Sequence, residues 1–213
     1  MTLEELKESC GTSSFVEMEL SDMIKELGED QVKTILSTFS CPLNKDVENF
    51  LKEKAILFSK RDFSKTTLVY WVSGDKNIKE LVGYYTVAEK VIQLDQNVLT
   101  SKERRKLHGH GTYHPETRTY FLPAPLIAQL GKNYSNGNDT LISGTDLLQL
   151  AMEKIKLIKN IIGGRFVYLE CEDVAKLVDF YTENNFKCFG KRELDADETD
   201  IRGTYLLQLF TIL

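Results

Sequence analysis

Hydrophobic and polar positions divide the first part of the chain into one strand and three helices. Residues 14–20 alternate, which is the two-residue period of a half-buried strand. Ser21 has the side chain of a helix N-cap and Gly28 is a typical helix stop, so we predict a helix between them. A second helix is broken at Pro42, and Asn44 is predicted to cap a third. The apolar residues of the two later helices recur at helical spacing: Val32, Ile35, Leu36 and Phe39, then Val47, Leu51, Ala55 and Phe58.

Two strands are predicted next, over residues 66–73 and 80–94. Residues 74–77 between them read Gly-Asp-Lys-Asn, a turn composition, so the strands should form an antiparallel hairpin. Residues 96–120 are polar, and we interpret them as an irregular excursion with a short helix over residues 101–107. Because long irregular segments in compact domains are often functional, this excursion is a candidate substrate-facing loop.

The second half is predicted to contain a strand–helix–strand unit. Residues 125–131 are a short apolar run typical of a buried strand, residues 132–140 are a polar loop, and residues 144–162 are a helix. The apolar face of that helix is formed by Leu148, Ala151, Ile155, Ile158 and Ile162, and Gly163-Gly164 should end it. A strand over residues 165–171 should lie parallel to the first after a right-handed crossover. Such a junction leaves backbone N–H groups at the helix N-terminus, a ready anion site.

A helix and two strands are predicted to close the chain. Asp173 has the side chain of an N-cap for the helix, and the strands should cover residues 186–192 and 204–213. The inward-facing residues of that helix are predicted to be Val174, Leu177, Val178 and Tyr181.

Composition indicates an ordinary globular protein of one domain. Hydrophobic residues make up 42% of the 213 residues and charged residues 28%, which suffices for a real core. The sequence has no signal peptide and no apolar run of about 18 residues, so we expect no membrane association. A net charge of −5 argues against non-specific nucleic-acid binding, although residues 101–107 form a local basic cluster. The four cysteines show no paired spacing, which favours a reduced, cytoplasmic setting.

Five short motifs occur in the order found in one known family. They are Gly83-Tyr84-Tyr85-Thr86, Phe39-Ser40-Cys41 with Asn49-Phe50-Leu51, the LPAPLIAQL of residues 122–130, the SGTDLL of residues 143–148, and the FYTENNF of residues 180–186. Together, over residues 14–213, they resemble the GNAT acyl-CoA N-acyltransferases, in particular the toxin-type members with G-Y-Y-T and F-Y-x-x-x-G-F features.

The resemblance implies an α/β fold with a mixed central sheet and helices on both faces, in a single domain over residues 1–213. Residues 1–13 would be an N-terminal extension that could be flexible. The implied co-substrate is acetyl-CoA. Its pantetheine arm would pair like an added strand with Leu130, Gly131 and Lys132. Its diphosphate would rest on the loop and helix start formed by Asp139, Thr140, Leu141, Ile142, Ser143, Gly144 and Thr145.

The diphosphate loop departs from the family pattern at two positions. The pattern [QR]-x-x-G-x-[GA] aligns with residues 139–144, so Asp139 replaces Gln or Arg and Ile142 replaces the first Gly. A two-residue expansion near residues 135–138 also precedes the loop. Since glycine permits close approach of backbone to phosphate, Ile142 requires a changed loop path. A GNAT fold that binds without catalysing is therefore an alternative to the enzyme.

Two residues are candidates for the acid–base chemistry. The resemblance places Tyr181 where a phenol donates to the CoA sulfur, although the same residue would also pack its helix face. Glu170 and Glu172 lie near the end of a strand, where either carboxylate could take the proton of the attacking ammonium directly or through water, and Glu170 is the candidate base. Three histidines, His108, His110 and His114, are possible metal ligands. No Cys or carboxylate completes a tetrahedral ligand set with them, so we expect no metal.

The acceptor is left open by the sequence. An amine on a protein or a small molecule is one hypothesis, and the amine of an aminoacyl-tRNA is another, which the toxin-type features favour and the acidic charge disfavours. We expect no other nucleic-acid partner, and a homodimer stays open.

Overall fold

The computed structural model of the protein describes residues 14–74, 78–107, 109–196 and 198–213. Contacts within the chain form two compact units. The first unit comprises the chain up to Thr86 together with Gln129–Leu150, and the second comprises Val87–Ala128 and Ala151–Leu213. The single domain expected from the sequence stays a prediction. No helix within the described ranges combines the length and apolar character that crossing a bilayer requires.

The first unit begins with a strand that leads directly into helices. Its elements are β1 (Ser14–Glu19), α1 (Leu20–Leu27), α2 (Glu29–Ser37), α3 (Lys45–Asn49), a π-helical turn (Phe50–Lys54), α4 (Ala55–Lys60) and β2 (Lys65–Val72). Parts of β3 (Lys79–Asp95) and β5 (Thr119–Lys132) complete its sheet, in the order β1-β2-β3-β5. β1 and β2 are antiparallel, with Ser14 opposite Val72.

The helix boundaries confirm two of the three signals read from this part of the sequence. Gly28 ends α1 with a φ of 82°, a conformation that favours glycine. Asn44 caps α3 by accepting a hydrogen bond from the Val47 N–H. Ser21 is not an N-cap, since helical geometry begins at Leu20 and the extended residue before it is Glu19. The predicted 74–77 connection includes residues 75–77, which lie outside the described residues, and so do residues 1–13.

A backbone hydrogen bond closes the connection between β2 and β3. In it the Ser73 N–H donates to the Ile78 carbonyl at 3.0 Å.

Side chains from the helices and the sheet form one core in the first unit. The buried members of the core are Leu20, Met23, Val32, Leu36, Phe39, Cys41, Val47, Phe50, Leu51, Ala55, Ile56, Leu68, Tyr70, Leu81 and Tyr84.

The second unit contains a mixed sheet. Its elements are the remaining part of β3, a 3-10 turn (Gln96–Val98), α5 (Ser101–Leu107), β4 (Thr112–His114), the remaining part of β5, most of α6 (Gly144–Ile162), β6 (Phe166–Cys171), α7 (Ala175–Glu183), β7 (Lys187–Glu193) and β8 (Tyr205–Ile212). The strand order is β3-β5-β6-β8-β7, with β4 paired to β5. β5 and β6 are parallel, while β6–β8, β7–β8 and β4–β5 are antiparallel. The mixed α/β class predicted from the sequence is thereby confirmed.

The α6 helix has the bounds predicted from the sequence, Gly144–Ile162. Leu148, Ala151 and Ile155 are buried, but Ile162 is 77% exposed, so the predicted apolar face does not extend to the last turn. The buried core of this unit contains Ile92, Leu94, Leu99, Leu107, Leu122, Ala124, Phe166, Tyr168 and Phe210.

The start of α7 differs from the prediction. Val174, not Asp173, precedes the helix, and its extended backbone leaves the Val174 side chain 39% exposed rather than inward. The Asp173 carboxylate instead accepts a hydrogen bond from the Tyr205 hydroxyl at 2.6 Å. The prediction that Asp173 caps the helix is wrong because its carboxylate is bonded to Tyr205, which lies on β8 and is distant in the sequence.

Candidate functional site

The G-Y-Y-T motif, residues 83–86 of β3, packs this strand against neighbouring strands and a helix. A Cβ at Gly83 would lie 2.8 Å from the backbone oxygen of Gly131, so β3 and β5 approach too closely for a side chain there. The fully buried Tyr84 donates from its hydroxyl to the Val47 carbonyl at 2.6 Å. The Thr86 hydroxyl lies 2.9 Å from that of Thr66 on β2. The motif therefore fixes β3 against β5 and against the helix α3.

The predicted pantetheine edge, Leu130, Gly131 and Lys132, is the last part of β5. A Cβ at Gly131 would lie 2.3 Å from the Val47 side chain, so helix α3 packs directly on this backbone. Leu130 and Lys132 are half-buried. The parallel register with β6 pairs only Leu126 and Ile127 of β5, and residues 130–132 lie further along the strand.

Two asparagines hold the chain where it leaves β5. Asn133 is buried, and its side-chain oxygen accepts hydrogen bonds from the N–H groups of Ser40, at 2.9 Å, and Ser135, at 3.1 Å. Asn138 is also buried and donates to the Glu80 carboxylate at 3.1 Å. The segment that precedes the predicted diphosphate loop is thus fastened to the start of β3.

The expanded segment before the loop forms a kinked 3-10 turn (Ser135–Thr140). Asn136 and Gly137 adopt left-handed backbone conformations, with φ values of 57° and 75°. Beyond the turn, Leu141 and Ile142 are 9% and 3% exposed, so both side chains belong to the core. The changed loop path that the sequence required is one that buries Ile142. Asp139 is half-buried at the turn, and its charge contributes to a raised pKa of Tyr134, chiefly a consequence of burial of that phenol.

A closed capping box starts α6. The Ser143 hydroxyl accepts a hydrogen bond from the Asp146 N–H at 3.0 Å. In return, the Asp146 carboxylate accepts bonds from the Ser143 N–H, at 3.2 Å, and from the Ser143 hydroxyl, at 2.6 Å. Gly144 and Thr145 occupy the first two helical positions, where backbone N–H groups have no partner four residues earlier.

Tyr181, the predicted acid, lies on α7 in the second unit. Its ring is buried and packs edge-on against Phe180 and Phe186, with centroid distances of 5.0 and 5.9 Å. Burial, and to a smaller extent the nearby Cys171, raise the pKa of the Tyr181 phenol above its usual value. The phenol therefore keeps its proton at neutral pH.

Glu170, the predicted base, is engaged by other side chains. Arg192 donates to both of its carboxylate oxygens at 2.9 and 3.0 Å, and the Tyr168 hydroxyl donates as well. Burial acts to raise the pKa of Glu170, but the hydrogen bonds from Arg192 and Tyr168 outweigh it and the pKa is lowered. Glu172 is also buried and accepts a hydrogen bond from the Arg202 N–H at 2.9 Å. Both carboxylates thus accept hydrogen bonds from residues within the same unit.

Arg192 is a residue that sequence reasoning missed. Besides Glu170, its guanidinium contacts Glu198 at 2.8 Å and Asp195 at 3.4 Å. It thereby ties β6 to the connection between β7 and β8. One arginine in a charged segment carries no spacing signal, so only the fold could identify it.

A cavity of about 450 Å³ in the first unit lies apart from the predicted site residues. It is lined by apolar side chains of β1, α1 and α2, and by Asn133, Ser135 and Asn138 of the segment before the loop. None of the predicted cofactor residues lines it. The candidate cofactor site is therefore the edge of β5 at residues 130–132 together with the start of α6, and not this cavity.

The histidines do not form a metal centre among the described residues. His110 packs against Phe166 and His114 against Phe121, while His108 lies outside the described residues. Within the described ranges, no three His, Cys, Asp or Glu side chains are grouped as metal ligands.

The sequence matches no protein-family model and no curated protein. Solved structures do share its fold. The complex of AtaT with acetyl-methionyl-tRNAfMet has a TM-score of 0.59 at 15% identity, covering 91% of this chain and 94% of that one. A Tyr-to-Phe mutant of KacT has a TM-score of 0.58 at 18% identity, covering 91% and 93%. A mutant AtaT toxin bound to the C-terminus of the antitoxin AtaR and acetyl-CoA has a TM-score of 0.52 at 13% identity, covering 93% and 92%. AtaT and KacT are toxin-type GNAT acetyltransferases, and the present chain has their fold.

Proposed function

We propose that the protein is an acyl-CoA-dependent N-acyltransferase that transfers an acetyl group from acetyl-CoA to a primary amine. The observation that carries the proposal is the strand–turn–helix segment from β5 to α6. Residues 130–132 of β5 lie past the β6 register, and α6 begins with backbone N–H groups that lack a helical partner. The GNAT fold supports the proposal, since a neighbour with this fold was solved with acetyl-CoA bound.

The cofactor-binding role belongs to the first unit. Backbone groups of Leu130, Gly131 and Lys132 would pair with the pantetheine arm, because its amides can extend a strand edge. The diphosphate would take the N–H groups between Asp139 and Thr145, where the α6 dipole favours negative charge. Those of Gly144 and Thr145 are the best placed, since the Ser143 N–H is already bonded to Asp146.

The reaction is attack by a neutral amine on the thioester carbonyl. A C–N bond forms, the C–S bond breaks, the ammonium proton leaves to a base, and the sulfur leaves as a thiolate that must be stabilised or protonated. We assign the donor role to Tyr181. Burial raises the pKa of the phenol, so it keeps its proton at neutral pH and can donate it in a hydrogen bond. A hydrogen bond from it would lower the energy of the developing thiolate more than that of the thioester.

The contacts of Glu170 favour a different role from the base expected from the sequence. A carboxylate with a lowered pKa, bonded to Arg192 and Tyr168, is a poor proton acceptor near neutral pH. We therefore propose that Glu170 anchors Arg192 and that the amine loses its proton to water or to another group.

The acceptor is a primary amine on a protein, a small molecule or an aminoacyl-tRNA. The AtaT complex with an acetylated methionyl-tRNA supports the last class, whereas the net charge of −5 disfavours a polyanion. An antitoxin-like peptide is a plausible partner because AtaT was solved with the C-terminus of AtaR. A cytoplasmic setting accords with all of these.

A second candidate function is a catalytically silent GNAT-fold binding module that does not turn over acetyl-CoA. Asp139 in the loop and the Asp146 carboxylate on the Ser143 N–H both place negative charge where the diphosphate would sit. This arrangement opposes cofactor binding and so favours the second candidate.

Calorimetry and a thiol-release assay test the two candidates together. Titration of acetyl-CoA should give a measurable heat and a rise in Tm, and an amine panel that includes aminoacyl-tRNA should release CoA thiol. Absence of both heat and thermal shift would contradict the transferase proposal and support the second candidate. Binding of acetyl-CoA with no turnover on any amine would also support the second candidate. For the tRNA class, affinity should fall steeply with salt.

A further inference from the structure

The Asp146 carboxylate accepts a hydrogen bond from a backbone amide that lies within the proposed diphosphate loop. The amide is that of Ser143, and the distance is 3.2 Å. The same carboxylate accepts from the Ser143 hydroxyl at 2.6 Å, so the side chain is held over the start of α6. A negatively charged group thus already uses one of the donors that an external anion would need.

We propose that Asp146 is an internal competitor of the CoA diphosphate, and that it lowers cofactor affinity until its carboxylate turns away from Ser143. The inference rests on the proposed function, because it concerns the same loop. Two negative groups cannot both accept the single Ser143 N–H, and close to one another they repel. Asp146 therefore has to leave this amide, or the diphosphate has to bind without it.

Displacement of Asp146 is feasible because the side chain lies at the surface. Ser143, Thr145 and Asp146 are all exposed, whereas Leu147 and Leu148, the next residues of α6, are buried. The carboxylate can therefore rotate into water while the helix stays packed. The capping box would open, and its modest contribution to helix stability would be lost in the cofactor-bound state.

Asp146→Asn separates charge from hydrogen bonding. The amide oxygen of Asn can still accept the Ser143 N–H, but the negative charge is gone. Asp30→Asn is the matched control. Asp30 is an exposed acid in the first turn of α2, so this substitution removes the same charge from the start of another helix. Asp146→Ser, which also removes the charge and keeps a capping hydroxyl, replaces the Asn variant if that one fails to fold.

The affinities for CoA and for inorganic diphosphate are measured by calorimetry at low and at near-physiological salt. We expect Asp146→Asn to bind both roughly tenfold more tightly than the wild type at low salt. The gain should shrink as salt is added, and Asp30→Asn should leave both affinities unchanged. Without ligand, Asp146→Asn should have a slightly lower Tm, because the capping box is weakened. A merely structural role would lower Tm without tightening either ligand.

Each remaining outcome decides between the two proposals. Equal or weaker CoA binding by Asp146→Asn overturns the role of Asp146 and leaves the transferase standing. Tighter diphosphate binding by the variant, with CoA bound by neither protein, shows that Asp146 competes with an anion at this helix start but rejects CoA as that anion, and with it the transferase. Failure of both ligands to bind either protein at millimolar concentration rejects both.

Discussion

Asn133 and Asn138 donate from their side-chain amides to one acceptor, the carbonyl oxygen of Leu81, at 2.8 and 3.2 Å. Leu81 lies near the start of β3, and both asparagines lie between β5 and α6. The two amides are not equivalent, because the Asn133 side chain also accepts bonds from Ser40 and Ser135. Loss of Asn133 would leave the partly buried N–H groups of Ser40 and Ser135 without this acceptor, whereas after loss of Asn138 the Leu81 carbonyl still has Asn133 as a donor.

Asn133→Ala should therefore be the more damaging of the two substitutions. We expect it to lower the free energy of unfolding by about 2–4 kcal/mol, and Asn138→Ala to lower it by about 1–2 kcal/mol. Urea denaturation followed by circular dichroism measures both. Asn160→Ala is the control, since Asn160 is exposed on α6, and it should change stability by less than about 0.5 kcal/mol. Equal losses at the two buried sites would contradict the shared-acceptor argument.

Ile142→Gly restores the glycine of the family pattern and should not restore a family-like loop. Ile142 is 3% exposed, so its removal leaves a cavity and adds backbone freedom to the unfolded chain. We expect a loss of about 3–5 kcal/mol in the free energy of unfolding and no gain in acetyl-CoA affinity. Denaturation and calorimetry check this. Tighter binding at unchanged stability would show that Ile142 merely obstructs the loop.

Tyr181→Phe tests the assigned donor. The change removes one hydroxyl and keeps the ring contacts with Phe180 and Phe186, so the fold should persist. We expect kcat to fall by roughly 10²-fold while the Kd for acetyl-CoA stays the same. Tyr113→Phe removes a hydroxyl that donates to Gln96, and it serves as the control. Undiminished turnover in Tyr181→Phe would end the assignment.

Glu170→Gln distinguishes an anchor from a base. As an anchor, the carboxylate stabilises Arg192, and its loss should lower the free energy of unfolding by about 2–3 kcal/mol because a partly buried ion pair is broken. The acidic limb of the pH–rate profile should keep its shape. A flattened acidic limb with little change in stability would instead identify Glu170 as the base.

Glu48 should make the protein more stable above pH 4.5 than below it. Its carboxylate bonds to Lys52, to the Cys41 N–H and to Lys45, which lower the pKa of Glu48 from 4.5 to about 2. The folded-state pKa is depressed, so the stability it adds is present above 4.5 and is lost as pH falls toward 2. With allowance for solvent screening, this contribution is about 1–2 kcal/mol.

Denaturation at pH 6 and at pH 3 measures that contribution. Glu48→Gln should lower stability at pH 6 and narrow the difference between the two pH values. The exposed Glu26 gives a control substitution on α1, for which the pH difference in stability should stay that of the wild type. An unchanged pH dependence in Glu48→Gln would show that other carboxylates account for the acid response.

The sequence pattern predicted those helices whose bounds depend on residues close to them in the sequence. The apolar spacing and the glycine pair gave the bounds Gly144–Ile162 of α6, and Asn44 gave the start of α3, since both signals act within a few residues. The short helix Ser101–Leu107 inside the polar excursion was also predicted. Failures occurred where a distant partner decides the geometry. Asp173 reads as a cap but bonds to Tyr205 on β8.

For the candidate site, the sequence predicted which residues belong to it but not which contacts they make. The resemblance pointed to residues 130–145 and to Tyr181. It could not reveal that Arg192 meets Glu170, because the two residues are joined only when β6 and β7 lie on either side of β8. Likewise, the burial of Ile142 depends on the path of the expanded turn before it, which leaves no periodic trace.

The π-helical turn Phe50–Lys54 bears on how this part of the chain can change in length. Val47, Leu51, Ala55 and Ser59 are buried at strict four-residue intervals, wider than the 3.6 residues of an α-helical turn, and the π turn keeps them in phase. It does so by accommodating one surplus residue. A deletion within this turn would convert it to ordinary helix, whereas a deletion in α3 or α4 would rotate the buried side chains out of the core. The turn is thus the one place in these helices where evolution or an engineer could shorten the chain at small cost.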